Sequence, residues 1–402
     1  MIIRAGTVVT MDGSPIENGG VAVSGSRITN VGKFSEISAT NSGEQIVDLG
    51  EQALLPGLIN AHCHLDYTCL RGKIPPPKSF TEWIRAINAE KANLSPEDYV
   101  HSINDGFAEA KRFGTTTIAN LTGFPEVVSR IQAPIRTWWF AELIDVRELS
   151  RANEIVDAAL DKLKSTEHWG LAPHAPFTAS AKLYRRCEEI ARSEDVPLTT
   201  HLAESREEMS MFRDASGPLY EFLKEIGRDM SNYGQETPLA HFMRHIDFED
   251  PWLITHLNEL VKGDFDLLRR SKPNFHIIYC PRSHQYFGHS PFQFDKLCEH
   301  GFNVCLGTDS LASNDDLSLF AEMRAFQKEF PKIPPDEIFR MVTSNPALAL
   351  GKPHVLGRIG KNCWADLIAV PITGSTSAFE EIVAFDRVVS WLMIGGQVQN
   401  PA

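Results

Sequence analysis

Hydrophobic and polar positions change rhythm twice along the chain. Up to residue 55, short alternating runs such as Val21-Ala22-Val23 and Gln45-Ile46-Val47-Asp48 are cut by turn signals at Asp12-Gly13, Gly19-Gly20, Ser24-Gly25 and Ser42-Gly43. That texture predicts a small antiparallel sheet. Beyond it, strand-like apolar runs alternate with amphipathic helical stretches such as Asn153–Lys164 and Ala181–Ser193, the signature of repeated βα units. Eight such runs stand out: Leu54–His64, Thr115–Asn120, Ile135–Glu142, Gly170–His174, Leu198–His201, Trp252–His256, Phe275–Cys280 and Asn303–Asp309. Eight strands over about 300 residues fit an α/β fold of the (β/α)8 TIM-barrel type with insertions. From about 355 the β texture returns, in Asp366–Val370 and Arg387–Trp391. The expected organisation is therefore a flanking β-sandwich built by both chain ends (1–55 and 355–402) around a barrel at 56–354.

Composition narrows the partners. A chain of 402 residues with 43% hydrophobic and 23% charged positions has ample core-forming material. The net charge of −13, with no Lys/Arg run longer than two, disfavours nucleic acid and anionic membrane surfaces, leaving a small molecule as the expected partner. No window approaches 18 uninterrupted apolar residues and no secretory signal is recognisable, so no membrane association is expected. The seven cysteines are scattered without a C-x-x-C pair, which argues against a disulfide framework or a zinc knuckle and suits the cytoplasm. Three prolines, Pro75–Pro77, stiffen the loop after the first barrel strand.

The candidate chemistry lies in the histidines. Five of the eight strands end in His or Asp: His62 and His64 on the first, His174 on the fourth, His201 on the fifth, His256 on the sixth and Asp309 on the eighth. The C-terminal rim of a barrel gathers such groups at one mouth. His62 and His64, two apart, share the inward face of a strand, and Cys63 faces outward. A lone strand-end histidine is usually a packing residue; two on one face plus Gly307-Thr308-Asp309 point to a metal. Imidazole and carboxylate donors suit Zn2+, with Fe2+ and Mn2+ compatible with the same set. Glu204, three beyond His201, lies past the strand end. It serves either as an acid/base or, like Glu207 and Glu208, as a first-turn helix charge. His256 is a fourth nitrogen ligand or a partner of the hydrolytic water.

Several segments resemble the amidohydrolase superfamily, in its aminohydrolase branch of cytosine, guanine and S-adenosylhomocysteine/methylthioadenosine deaminases and triazine hydrolases. They are Pro56-Gly57-Leu58-Ile59-Asn60-Ala61-His62-Cys63-His64, Thr200-His201-Leu202-Ala203-Glu204, Leu306-Gly307-Thr308-Asp309-Ser310, Thr343-Ser344-Asn345-Pro346-Ala347 and Gly360–Leu367. The resemblance implies metal ligation by His62, His64, His201 and Asp309, proton shuttling by Glu204, and orientation of water by His256. The catalytic set would then be Glu204, His256 and Asp309. Strand four carries no lysine, so a single ion is implied rather than a bridged pair. Homo-oligomers are common in the superfamily.

The resemblance also bears on substrate. Pro173–Thr178 is similar to the segment of adenine-nucleoside deaminases whose histidine, here His174, touches the purine. Leu70–Trp83, with Glu82 and Trp83, is similar to their ribose-reaching loop. Cys280–His289 departs from the common strand-seven form, with His284 where asparagine is usual, and resembles aminofutalosine deaminases. Arg282, His284 and His289 are thus candidates to read an acidic or hydroxyl-rich arm, unless Arg282 instead pairs with a neighbouring carboxylate. The reading is a hydrolytic deaminase of a 6-aminopurine nucleoside (adenosine, methylthioadenosine, S-adenosylhomocysteine or aminofutalosine type), releasing ammonia. The alternatives are a guanine- or cytosine-like base, a triazine chloro- or aminohydrolase, and a non-catalytic binding barrel.

Overall fold

A computed structural model describes residues 1–231, 233–247 and 250–400. Eight parallel strands follow one another around a barrel: Leu58–His64, Thr115–Thr122, Arg136–Leu143, Trp169–Pro173, Leu198–Leu202, Trp252–His256, Phe275–Tyr279 and Asn303–Leu306. The ring is closed by a two-residue strand, Asp309–Ser310, which pairs with Cys63 and His64. The unbroken run expected over 303–309 is interrupted at Gly307-Thr308. There the last strand presses against the first, and a Cβ on Gly307 would stand 2.8 Å from the His62 carbonyl oxygen. Thr308 N–H donates to that oxygen (3.1 Å), and the Asn60 amide donates to Thr308 Oγ1 (2.8 Å). The seam is therefore stitched directly beneath the mouth.

The barrel is a packed core rather than a pore. Ile59, Ala61, Ala119, Leu121, Trp138, Phe140, Ala172 and Leu253 form one buried cluster, capped by Ala347, Leu350 and Leu356. The opposite faces of the strands, including Cys63, Trp139, Leu171 and Ile254, belong to a larger cluster shared with the surrounding helices. Burying each of the leucine, isoleucine and phenylalanine side chains among them is worth about 1.5–3 kcal/mol. Ile59, Ala61, His62 and His64 cannot all face inward on a strictly alternating strand. The pairing register of the first strand shifts between Asn60 and Cys63, and this irregularity changes the phase just below the mouth. A bulge of that kind re-aims side chains at the cost of ladder regularity.

Both chain ends meet in one eight-stranded sheet, in the order Gln397–Gln399, Trp391–Ile394, Leu367–Pro371, Gln52–Pro56, Ile2–Val8, Ile16–Ser24 and Arg27–Lys33, with Ile46–Asp48 also paired to Ile2–Val8. The sheet is mixed, not purely antiparallel: Ile2–Val8 runs parallel to Ile46–Asp48 and to Gln52–Pro56. The run expected as one strand over 54–64 serves both bodies, ending in the sheet at Pro56 and entering the barrel at Leu58. Residues 387–390 are irregular, and the strand begins at Trp391. Among the described residues no helix is long and apolar enough to cross a membrane.

Sheet and barrel are fastened by Arg136 at the foot of the third strand. Its guanidinium stacks 3.5 Å from the Trp364 ring centroid and lies 3.2 Å from Asp366 Oδ2, both ionic side chains being largely buried. Asp366 Oδ1 in turn accepts the Gly395 N–H at 2.7 Å. Removing one partner of a buried pair strands the other charge, so Arg136→Ala should lower stability by about 3 kcal/mol. Because the clamp lies at the opposite end of the strand from the mouth, kcat should hold. Denaturant unfolding alongside steady-state kinetics checks both, and a stable variant would show that the clamp is dispensable.

Candidate metal centre and cavity

Strand ends deliver the polar groups, and several turn there through backbone that favours glycine. Ala203, His256, Leu257 and Asp309 have φ of +50°, +76°, +52° and +56°. Left-handed backbone at non-glycine residues costs on the order of 1–3 kcal/mol apiece. Here it bends the chain back at the end of strands five, six and eight, where His201, Glu204, His256 and Asp309 leave the sheet. Asp309 is also locked by hydrogen bonds, with Oδ2 accepting from Ser283 Oγ (2.7 Å) and Oδ1 from Ser310 N–H (2.8 Å).

His62, His64 and His201 each offer a ligand atom, all within 4.8 Å of one another. His64 Nε2 and His201 Nε2 lie 3.3 Å apart, and Asp309 Oδ1 lies 3.7 Å from His62 Nε2 and 3.9 Å from His64 Nε2. His62 Nε2 is buried without a hydrogen-bond partner. The ring nitrogens facing away are engaged on two of the three: His201 Nδ1–H donates to the His174 carbonyl (2.9 Å), and His62 Nδ1 lies 3.2 Å from Thr255 Oγ1. Such outer contacts orient an imidazole so that its other nitrogen can ligate. Burial drives the His64 and His256 imidazoles well below their ordinary pKa and His201 down to about 3, so their lone pairs are free at neutral pH. Burial pushes Asp309 upward, but the adjoining His62, His256 and His64 rings outweigh it and hold the carboxylate well below its usual range. Neutral imidazoles and one anion, converging with an unpartnered nitrogen among them, fit a divalent cation.

Glu204 sits just past the fifth strand, 3.6 Å from His256 Nε2. Burial, then the charges of Asp309 and Glu208, raise its pKa well above 4.5. Glu208 is not a solvated first-turn charge: it is buried and accepts the N–H groups of Ala203 (3.2 Å) and Glu204 (2.7 Å), fixing the turn. Glu207 likewise serves another helix, accepting the N–H groups of Phe80 (2.9 Å) and Thr81 (3.0 Å) at the start of helix Phe80–Lys91.

Above these groups opens a cavity of about 300 Å³, lined by His64, His174, His201, Glu204, His256 and Asp309 together with Tyr67, Phe80, Trp83, Ile84, Ile87 and Phe177. Trp83 and His174 thus stand in its wall, as expected. Burial pushes His174 down to about 3, and its Nδ1 lies 2.6 Å from Thr178 Oγ1. Glu82 does not line the cavity. One position before Trp83 on the same helix, it is turned outward and exposed. Arg282 also stays out of the cavity, paired with Asp316 (2.6 Å) and Asp315 (3.1 Å). His284 is buried against Asn258 (3.2 Å). His289 stacks on Phe287, which packs edge-on against Trp83, so it stands behind the wall.

Of the titratable lining residues, Tyr67, Lys91, Glu142 and Arg147 escaped the sequence reading. Glu142 stands one residue before the end of the third strand and was discoverable by the strand-end criterion, had that criterion admitted glutamate. Lys91 and Arg147 lie in a helix and a loop whose path no periodicity gives.

The chain matches the amidohydrolase family over residues 53–398. It is 30% identical over 391 residues to the 5-methylthioadenosine/S-adenosylhomocysteine deaminase of Syntrophobacter fumaroxidans, covering 92% of this chain and 84% of that one. Among solved structures, the aminofutalosine deaminase of Helicobacter pylori in complex with methylthio-coformycin superposes with a TM-score of 0.87 at 21% identity, over 99% of this chain and 100% of that one. An adenosine deaminase from Xanthomonas campestris with bound zinc gives 0.82 at 23% identity, over 99% and 92%. Histidines and an aspartate gathered at the strand ends of a closed parallel barrel, in a chain that matches the family over residues 53–398, make this protein a member of the amidohydrolase family.

Proposed function

We propose that the protein is a metal-dependent hydrolytic deaminase of 6-aminopurine nucleosides. The carrying observation is Glu204, a buried carboxyl group beside the His62–His64–His201–Asp309 cluster at the floor of an apolar-walled cavity. The named relatives, deaminases of adenine nucleosides, point the same way. His62, His64 and His201 through Nε2, and Asp309 through Oδ1, would hold one divalent ion, Zn2+ being the choice that matches both donor set and zinc-bound neighbour. When bound, such an ion acts as a Lewis acid and makes water acidic enough to supply a nucleophile near pH 7.

The chain's own groups then manage protons and position. Glu204, whose burial raises its affinity for a proton, takes one proton from the incoming water and delivers it to the ring nitrogen beside the aminated carbon as the water oxygen adds there. Asp309, low in pKa and fixed by Ser283, accepts the remaining water proton and returns it to the amine. The C–N bond breaks, ammonia leaves, and the carbon keeps the oxygen as a carbonyl. His256 hydrogen-bonds the incoming water. Trp83, Phe177 and Tyr67 enclose the ring and exclude bulk water, and His174 faces the heterocycle from strand four.

Lys91 and Arg147 line the same cavity, and neither is ion-paired to a carboxylate among the described residues. Two uncompensated cations favour a 5′ substituent bearing an anion. Seven unpaired cysteines, five of them buried, suit a reducing compartment, and we place the protein in the cytoplasm.

Metal-loaded protein should release ammonia from adenine nucleosides. Between substrates, kcat/KM should be about tenfold or more higher for carboxylate-bearing S-adenosylhomocysteine or aminofutalosine than for adenosine, the scale of one charge-assisted contact. An ammonia assay over these and methylthioadenosine decides; silence on all, with turnover of guanine, cytosine or a chlorotriazine, would reject the proposal. Glu204→Gln should keep its metal by elemental analysis and lose about 10²–10⁴ in kcat. Unchanged turnover would move the proton transfer to another group.

A further inference from the structure

Glu142 has no part in the scheme above, yet it is one of the most sequestered charges facing the cavity. Its side chain is only 7% exposed, with Oε1 3.9 Å from His64 Nδ1 and 3.8 Å from His174 Nε2. Among the described residues, no group donates a hydrogen bond to it. A buried carboxylate without a donor is costly, so its place beside two imidazoles calls for a physical reason.

The imidazoles supply one. His64 turns Nε2 toward His201 Nε2 (3.3 Å) and Asp309 Oδ1 (3.9 Å), so the nitrogen free to ligate is Nε2 and the ring proton belongs on Nδ1. That Nδ1 is buried and unpartnered. The other two imidazoles have their outer nitrogens engaged, by the His174 carbonyl and by Thr255; only His64 lacks a closed contact there. Tyr67 stacks on the His64 ring, with centroids 5.8 Å apart and planes 20° from parallel. It fixes the plane of the ring but does not choose between tautomers. The same carboxylate oxygen lies off His174 Nε2, while Thr178 Oγ1 holds Nδ1 of that ring.

We infer that Glu142 is a positioning residue: its carboxylate, 3.9 Å from His64 Nδ1 and 3.8 Å from His174 Nε2, closes on the Nδ1–H of His64 when the metal centre fills, holding Nε2 toward it, with the His174 ring on its other side. One side chain then couples a metal ligand to the wall that faces the substrate. The inference rests on the metal site of the proposed function, and its effect is read on metal binding rather than on turnover.

The test titrates metal-free full-length wild type, Glu142→Ala and Glu142→Gln with Zn2+ against a chromophoric chelator, with Tm of the metal-free proteins in parallel. Removing an outer-shell carboxylate typically weakens metal binding by about 10–100-fold. Glu142→Ala should show a loss of that size, and Glu142→Gln, which keeps an acceptor oxygen, a smaller one. The metal-free Tm should not fall, because the carboxylate has no hydrogen-bond donor to lose in the metal-free protein. Zn2+ affinity of Glu142→Ala within twofold of wild type would overturn the inference alone, as would a loss accompanied by an equal loss in the glutamine variant and a fall in metal-free Tm. A wild type that binds no Zn2+ would overturn the metal reading and this inference with it.

Discussion

The molecule is organised around lone pairs that point at one another. Three imidazoles and a carboxylate are held within a few ångströms where water is scarce, an arrangement whose lone pairs repel one another unless a cation sits between. Everything nearby serves to keep it. Asn60 and Thr308 stitch the first strand to the last, Ser283 and Ser310 pin Asp309, and the His174 carbonyl and Thr255 turn two of the rings. The remaining barrel is a scaffold stiff enough to bear the local cost of left-handed residues and a register shift.

That stiffness is what lets two ordinary residue types act unusually. Glutamate in water gives up its proton readily, but burial, and then the neighbouring charge of Asp309, raises the proton affinity of Glu204 in the same dry floor, while the imidazoles around Asp309 lower its own. Opposite shifts in two neighbouring carboxyl groups separate their duties. Glu208, buried behind the turn, fixes the Glu204 backbone. Glu207, three residues from Glu204, caps the helix that carries Trp83. The strand-to-helix turn at Glu204 and the first turn of helix Arg206–Asp214 thus set the acid and the cavity wall together.

The eight strands, the gathering of strand-end histidines and Asp309 at one mouth, and the shared flanking sheet were legible because each rests on short-range rules: apolar period, turn chemistry and the convergence of strand ends. What was not legible depends on which way a side chain turns outside regular structure. Glu82 and Trp83 are adjacent on a helix, and only its docking, through Glu207, decides that Trp83 faces in. Arg282 was read either as a substrate contact or as a paired charge, and Asp315 and Asp316 from a distant loop settle the matter. The register shift at Asn60–Cys63 leaves no mark in the amino-acid pattern, since every residue of this strand is buried and no alternation between core and solvent marks its phase.

The central claim is that one divalent ion is held by His62, His64, His201 and Asp309. Anomalous diffraction from zinc-loaded crystals, recorded on both sides of the zinc absorption edge, tests it most directly. The account predicts one peak enclosed by those four side chains and none in the neighbouring Glu142–His174–His201 group. A peak centred on that second group, or two peaks, or none among the histidines, would contradict it.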